Sequence, residues 1–435
     1  MAAERFVLLG LAPARAAWFE AVAQWATSAS IAAEFVKCVS AEEVRARLAS
    51  GRRHSALVVD AATPSFDRDL IDACQACSTP VIVVRDPRHA SVHPLDIGAA
   101  AELVPGFGPD ELLDALSVHS RPVGDGTWLP PAIEDGEGGG FWQAPLFTVC
   151  GPGGTGASTV AMALATGLGR DARYARRVLL ADLARRADQA MLHDSPELGP
   201  GLQELVDAHR LARPDPGEVR RMTFEVPRRG YHLLLGLRQP QAWSALRPRA
   251  VDAALSGVRR AFQVVVADVT GDFEGEADGG SIDVEERNHL ARTAARQATV
   301  TLAVGAPGLK GIHSLAGLVR DAVRAGVAPG RIVAVLNRSP RHPRARAESA
   351  RALASLLAAD GIQLALAGPV HVPERKLDEA LRDGSPLPGA LVETVTRAVR
   401  AVADRLADAA PPDPGPTRIV PGSLGSWAED PEVEA

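Results

Sequence analysis

The sequence predicts an α/β chain of two successive parallel-sheet units, and three observations predict it. Short apolar runs alternate with amphipathic segments along most of the chain. In the middle a glycine-rich loop, Gly151 to Thr159, stands between an apolar run and an alanine-rich helical pattern. Just before it lies RPVGDGTWLPPAIEDGEGGGFWQAP, residues 121–145, whose Gly, Pro and acid content has neither helical nor strand periodicity. Parallel strands need helical crossovers and become buried on both faces, so their runs read as continuously apolar.

The first unit, residues 1–120, shows strand-like runs at Arg5–Leu11, Glu34–Val39, Ala56–Asp60, Pro80–Arg85 and Glu102–Val104, which make five βα units. The pattern is that of a doubly wound, flavodoxin-like sheet. It resembles the receiver domain of response regulators, which implies a phospho-accepting Asp at the end of strand three; Asp60 alone falls on a matching position. The acidic pair after strand one, the hydroxyl after strand four and the lysine after strand five have no counterpart. The unit is therefore expected to be an atypical receiver used for protein contacts, with Asp60 a polar loop residue. Cys74 and Cys77 form a single CxxC, read as two half-buried thiols on one helix face.

With 435 residues, 46% of them hydrophobic, the chain is long enough for more than one sizeable core. A net charge of −6 and a pI near 6.0 supply no bulk attraction to nucleic acid or anionic membrane. The start, MAAERFVLLGLAPARAAWFE, lacks the pattern of a signal peptide, and no run is long enough to span a membrane, so a cytoplasmic location is expected. The basic run Arg338–Arg351 fits a solvated loop and helix face better than a DNA contact. His193, His289 and His313 lack metal spacing and read as surface or packing residues.

The second unit, 146–408, opens with the loop. Gly151, four residues, Gly156, one residue and Ser158 is the P-loop spacing, in which backbone N–H groups converge on phosphate oxygens at a helix N-terminus. Where a lysine should reach the terminal phosphates stands Ala157. Strands are then expected at Arg177–Ala181, Tyr231–Leu235, Gln263–Ala267, Val300–Val304, Arg331–Leu336 and Gln363–Ala367, with a last amphipathic helix over Ala390–Asp408. Residues 121–145 read as a linker and 409–435 as a disordered acidic tail.

Taken together, these motifs make the second unit similar to the MinD and ParA group of deviant P-loop ATPases. With the receiver-like first unit the chain most resembles the CpaE and TadZ proteins of pilus loci, whose actinobacterial relatives are called septum-site-determining proteins. The family loop, Lys-Gly-Gly-x-Gly-Lys-Ser/Thr-Thr, aligns with Pro152-Gly153-Gly154-Thr155-Gly156-Ala157-Ser158-Thr159, so both lysines are replaced and the Walker A motif is degenerate.

The resemblance implies nucleotide contacts from Gly151, Gly153, Gly154, Thr155, Gly156, Ala157, Ser158 and Thr159. Asn337 would meet the adenine edge, with Pro373 and Glu374 flanking the base. It implies Mg²⁺ at Ser158, Asp182 and Asp268, the last two equally readable as buried acids capping sheet ends. Asp188 matches an acid of the CpaE branch that caps the following turn. The water-orienting acid is replaced by Ala184, so no residue is assigned a catalytic role. Arg185 or Arg186 could restore the missing charge by proximity in sequence.

The function so implied is positioning: a protein that places a Tad-type pilus or a septum site, on a MinD-like fold with weak or no ATP hydrolysis. Its cofactor would be ATP with Mg²⁺. Its partners would be proteins of the pilus, secretion or division machinery, with a homodimer through the P-loop face and recruitment to pole or septum. An active ATPase with a remodelled site and a ParA-like DNA partitioning protein are the alternatives. The acidic tail argues against direct membrane anchoring.

Overall fold

The computed structural model describes residues 5–13, 16–49, 52–89, 93–123, 143–174, 177–197, 199–279 and 281–408. Most of the expected linker, including Trp128, Phe141 and Trp142, and the whole expected tail lie outside these residues.

The first sheet contains β1 (Phe6–Leu11), β2 (Ala33–Cys38), β3 (Ala56–Asp60), β4 (Val81–Val84) and β5 (Ala101–Leu103). Its order is β2-β1-β3-β4-β5, all parallel. This is the doubly wound order expected of a flavodoxin-like unit. Alternate side chains leave the sheet in opposite directions: Leu9, Leu57, Val59 and Val83 pack into one core layer, Leu8, Val58, Ile82 and Val84 into the other.

Two expectations for this unit need correction. Among the described residues the crossover from β4 to β5 holds two short 3₁₀ turns, Pro87–His89 and Leu95–Ile97, in place of a helix. The cysteines are not alike: Cys74 is buried on the helix Arg68–Ala76, whereas Cys77 is exposed at its C-terminal cap, where the helix has already ended. Asp60 accepts the Trp18 indole N–H at 2.8 Å and the Ala62 amide at 2.9 Å, so its carboxylate holds a loop and a helix in place.

The second sheet has eight strands: β6 (Leu146–Gly151), β7 (Val178–Asp182), β8 (Phe224–Val226), β9 (Tyr231–Leu234), β10 (Val264–Thr270), β11 (Val300–Gly305), β12 (Ile332–Ser339) and β13 (Val370–Pro373). They run in the order β13-β12-β11-β6-β10-β7-β9-β8, parallel except for the antiparallel edge pair β8–β9. Leu146, Cys150, Val265 and Ala267 enter one core layer, and Phe147, Val149, Val264 and Val266 the other. On the second face the helix Ala157–Gly169, buried from Val160 onward, packs on the sheet, and the long helix Gly389–Asp408 packs both against it and against β13.

The expected strand Gln363–Ala367 is not formed. There Ala365 N–H reaches Ile332 O at 3.0 Å, while the ladder with β12 begins only at Val370, opposite Val335. Ile362 and Leu364 pack on one core layer, Ala365 and Leu366 on the other, which gives an irregular segment a strand-like apolar signature. The edge strand β8 is an addition to the expected set, three residues long and too short to stand out. The two sheets meet where Arg68 Nε donates to His209 O at 3.3 Å, Arg249 pairs with Asp72 at 3.6 Å and Leu211 packs against the first unit's core. Among the described residues no helix is long and apolar enough to cross a membrane.

Candidate functional site

Strand β6 delivers the chain to the sheet's C-terminal edge at Gly151, and the loop then turns into the helix Ala157–Gly169. The turn is tight. Thr155 N–H and its hydroxyl both donate to Pro152 O, at 3.2 and 2.7 Å. A Cβ on Gly151 would lie 2.6 Å from Thr155 Oγ1 and 2.7 Å from Val304 O, so only glycine fits. Gly154 and Gly156 take φ of 80° and 83°, the left-handed region that side chains resist. Outward from Gly153 and Gly154 there is open space, with nothing within 4 Å of an added Cβ.

The N–H groups of Ala157, Ser158 and Thr159 find no acceptor among the described residues. Free amides at a helix start carry the positive end of the helix dipole, so this loop retains the backbone half of a phosphate site. The charged half is missing, since Pro152 and Ala157 occupy the two lysine positions.

The loop is held from outside by the end of β12. Asn337 Nδ2 donates to Thr155 O at 2.8 Å, its Oδ1 accepts the Arg338 amide at 2.9 Å, and the Arg338 guanidinium donates to Gly154 O. A side chain on Gly156 would run into the Asn337 amide. Asn337, expected at an adenine edge, therefore has both polar atoms engaged with the loop and its own neighbour. Pro373 aligns with Ser339 at the same end of the sheet, and exposed Glu374 follows it. The segment beyond is pinned by buried Arg229, which donates to Ala380 O at 2.8 Å and Ser385 O at 3.3 Å.

Beside the loop, Asp182, the last residue of β7, and Asp268, two residues before the end of β10, stand at paired register positions, 0% and 2% exposed. Asp182 accepts the Ala184 amide at 3.2 Å and the Gln189 amide at 2.9 Å, one on each oxygen. Asp268 Oδ2 accepts the Gln189 carboxamide N–H at 2.7 Å, and that same nitrogen lies 3.3 Å from Ser158 O. Burial raises both carboxyls, Asp182 well above the usual range, where the Asp268 charge adds to the effect, and Asp268 to about 6 despite the Gln189 bond and the opposing influence of the Ser158 hydroxyl. Two adjacent buried carboxyls with no cation do not both ionise.

Nothing in the sequence pattern marks Gln189, which stands next to the more conspicuous Asp188. Asp188 itself opens the short helix Gln189–Leu192 without a side-chain capping bond, contrary to the expectation. Neither nearby arginine reaches the loop by a hydrogen bond: Arg185 faces Asp272 at 3.8 Å, and Arg186 is exposed. The cation that does touch the loop is Arg338, the first residue of the basic run read as a solvated face, whose guanidinium donates to Gly154 O. His193 is no surface residue, since its Nδ1–H donates to Gln189 O at 2.7 Å and its Nε2 accepts from Tyr231 at 2.6 Å. Burial lowers its pKa to about 4, so it is a neutral packing group.

The phosphate groups of a nucleotide fit the free amides and open glycines. A divalent cation does not fit the acids as they are folded. Both Asp182 oxygens are taken by backbone amides, and Asp268 faces a carboxamide donor. Among the described residues no cluster of three or more His, Cys, Asp or Glu is arranged to hold a metal ion. No carboxylate stands at Ala184 to orient an attacking water.

No family model and no curated protein sequence matches the chain. Among solved structures its neighbours are MinD- and ParA-type ATPases. A ParA family ATPase from Chlorobium tepidum is 15% identical with a TM-score of 0.43, covering 61% of this chain and 99% of that one. The cell division ATPase MinD from Pyrococcus furiosus is 18% identical, TM-score 0.42, covering 61% and 100%. The septum site-determining protein MinD from Pyrococcus horikoshii, solved with Mg-ADP, is 16% identical, TM-score 0.42, covering 60% and 95%.

Proposed function

We propose that the chain is a positioning scaffold built on a P-loop fold: residues 146–408 form a unit that holds the phosphates of ATP without efficient hydrolysis, and residues 1–120 form a docking module. The observation that carries this reading is a phosphate loop formed in its backbone and braced by Asn337 and Arg338, while both lysine positions and the water-orienting position hold Pro152, Ala157 and Ala184. Phosphoryl transfer depends above all on electrostatic stabilisation of the developing charge, and one missing donor costs about 3 kcal/mol. Three missing groups leave binding as the site's remaining capacity.

In the CpaE-like reading such a unit places a Tad-type pilus apparatus or a septum site through protein contacts, as a homodimer through the P-loop face. The first unit supports a docking role because Asp60 is committed to Trp18 and Ala62. Imaging a fluorescent fusion in the cells that make the protein tests the role. Foci at pole or septum, lost on deleting residues 1–120 with the second unit still produced, are expected; a diffuse full-length fusion overturns it.

A further inference from the structure

Gln189 is completely buried, yet it lies beside the most polar spot of the second unit. Its backbone N–H is bonded to Asp182, and its carboxamide nitrogen to Asp268 with Ser158 O beside it. Its backbone carbonyl accepts from His193, whose ring is in turn held by Tyr231. The side chain is thus fixed from both ends. Against Asp268 Oδ2, at 2.7 Å, stand N–H hydrogens bearing partial positive charge. A divalent cation bound there would have to displace those hydrogens or lie against them, and Mg²⁺ demands a near-octahedral shell of oxygens at about 2.1 Å. The carboxamide supplies the acid's hydrogen bond with no net charge.

Resting on the phosphate-loop reading above, we infer that Gln189 fills the place of the divalent cation beside Asp268, so that this loop takes a nucleotide's polyphosphate in its metal-free form. Three structural features support it together. Each oxygen of Asp182 already accepts a backbone amide, so the acid is held in the loop by two bonds that do not involve a metal's water shell. The Ser158 hydroxyl, the other expected ligand, stands near enough to Asp268 to lower that acid's pKa against its burial. Gln189 Oε1 is buried without a donor, an arrangement that persists because the nitrogen end is the one the two acceptors require. Free polyphosphate is the more highly charged anion, and the loop's unpaired amides and the Arg338 guanidinium are the groups that meet it.

The test is titration calorimetry of ATP into the full chain, once with EDTA and once with excess Mg²⁺, repeated on Gln189→Ala with its melting curve recorded. The natural chain is expected to bind at least about tenfold more weakly with excess Mg²⁺, which ties up ATP as its complex, than with EDTA, and Gln189→Ala to bind at least about tenfold tighter with Mg²⁺ than with EDTA. Binding by the natural chain that Mg²⁺ leaves unweakened, or that needs Mg²⁺, overturns the inference and leaves the phosphate-loop reading standing. A folded Gln189→Ala chain that keeps the parent's preference for EDTA overturns the assignment to Gln189. If that variant fails to melt cooperatively, Gln189→Glu, which restores a side chain of the same length with a carboxylate, carries the same expectation. No heat of binding in either buffer overturns this inference and the phosphate-loop reading together, a result distinct from the other outcomes.

Discussion

Asp182 and Asp268 occupy paired positions on adjacent parallel strands, and a single residue, Gln189, donates its backbone amide to one and its carboxamide to the other. Two carboxyls in such a place ordinarily need a cation. Here a neutral brace and a shifted proton equilibrium take that role, and several measurable consequences follow from it and from the loop beside it.

Asp268→Asn should stabilise the chain at neutral pH. With a folded pKa of about 6 against an ordinary 3.8, the folded chain retains a proton that the unfolded chain releases. The stability from this group is fully present below the unfolded value and is lost as pH rises through the folded one. At pH 7 the charged form is a liability of about 3 kcal/mol, which the amide lacks. Denaturant curves at pH 5 and pH 7 should show the variant's advantage growing with pH; a variant less stable than its parent at pH 7 would contradict the account.

Gly156→Val should damage both fold and binding. The position takes a φ of 83° and faces the Asn337 amide, so a branched side chain must strain the backbone and push away the loop's brace. A loss of about 2 kcal/mol in stability is expected, with nucleotide affinity abolished. Unchanged affinity in a folded variant would mean that the nucleotide binds elsewhere.

Ala157→Lys should restore part of the missing charge. A charge-assisted contact to phosphate is expected to tighten ATP binding about tenfold. Hydrolysis should not appear with it, because Ala184 still offers nothing to orient water. Arg185→Ala, by contrast, should leave nucleotide affinity unchanged, since its guanidinium faces Asp272. Parallel titrations of the two variants check both statements.

Acetyl phosphate or beryllofluoride should leave the first unit unaltered. Asp60 is engaged by Trp18 and Ala62 and has none of the companion groups that a receiver uses. Trp18→Phe should cost about 1 kcal/mol through the lost hydrogen bond, which thermal melts can measure. A phosphorylated Asp60 in intact-mass spectra would contradict this.

Much of the fold was legible because parallel strands announce themselves. The runs that became β1, β3, β4, β6, β10 and β11 are apolar on both faces, as strands buried in a parallel sheet must be. The same signature misled at Gln363–Ala367, where alternate residues feed two core layers without a ladder, and failed at β8, a three-residue edge with little to bury. The glycine loop was legible because its spacing is rigidly constrained. Its braces were not: Asn337 and Arg338 reach Thr155 and Gly154 across more than 180 residues of sequence, and Gln189 reaches Asp268 across 79. A lone Gln after an acid carries no local periodicity or motif, so only the paired strand positions reveal what it holds.

The most direct measurement is equilibrium binding of a fluorescent ATP analogue to the purified chain, with phosphate release followed in the same samples and Gly156→Val beside it. Saturable binding that Gly156→Val abolishes, with phosphate release no faster than in buffer, is the result expected of a loop that holds phosphates and has lost the groups that split them. Failure to saturate at millimolar nucleotide, or steady phosphate release from the natural chain, would contradict it.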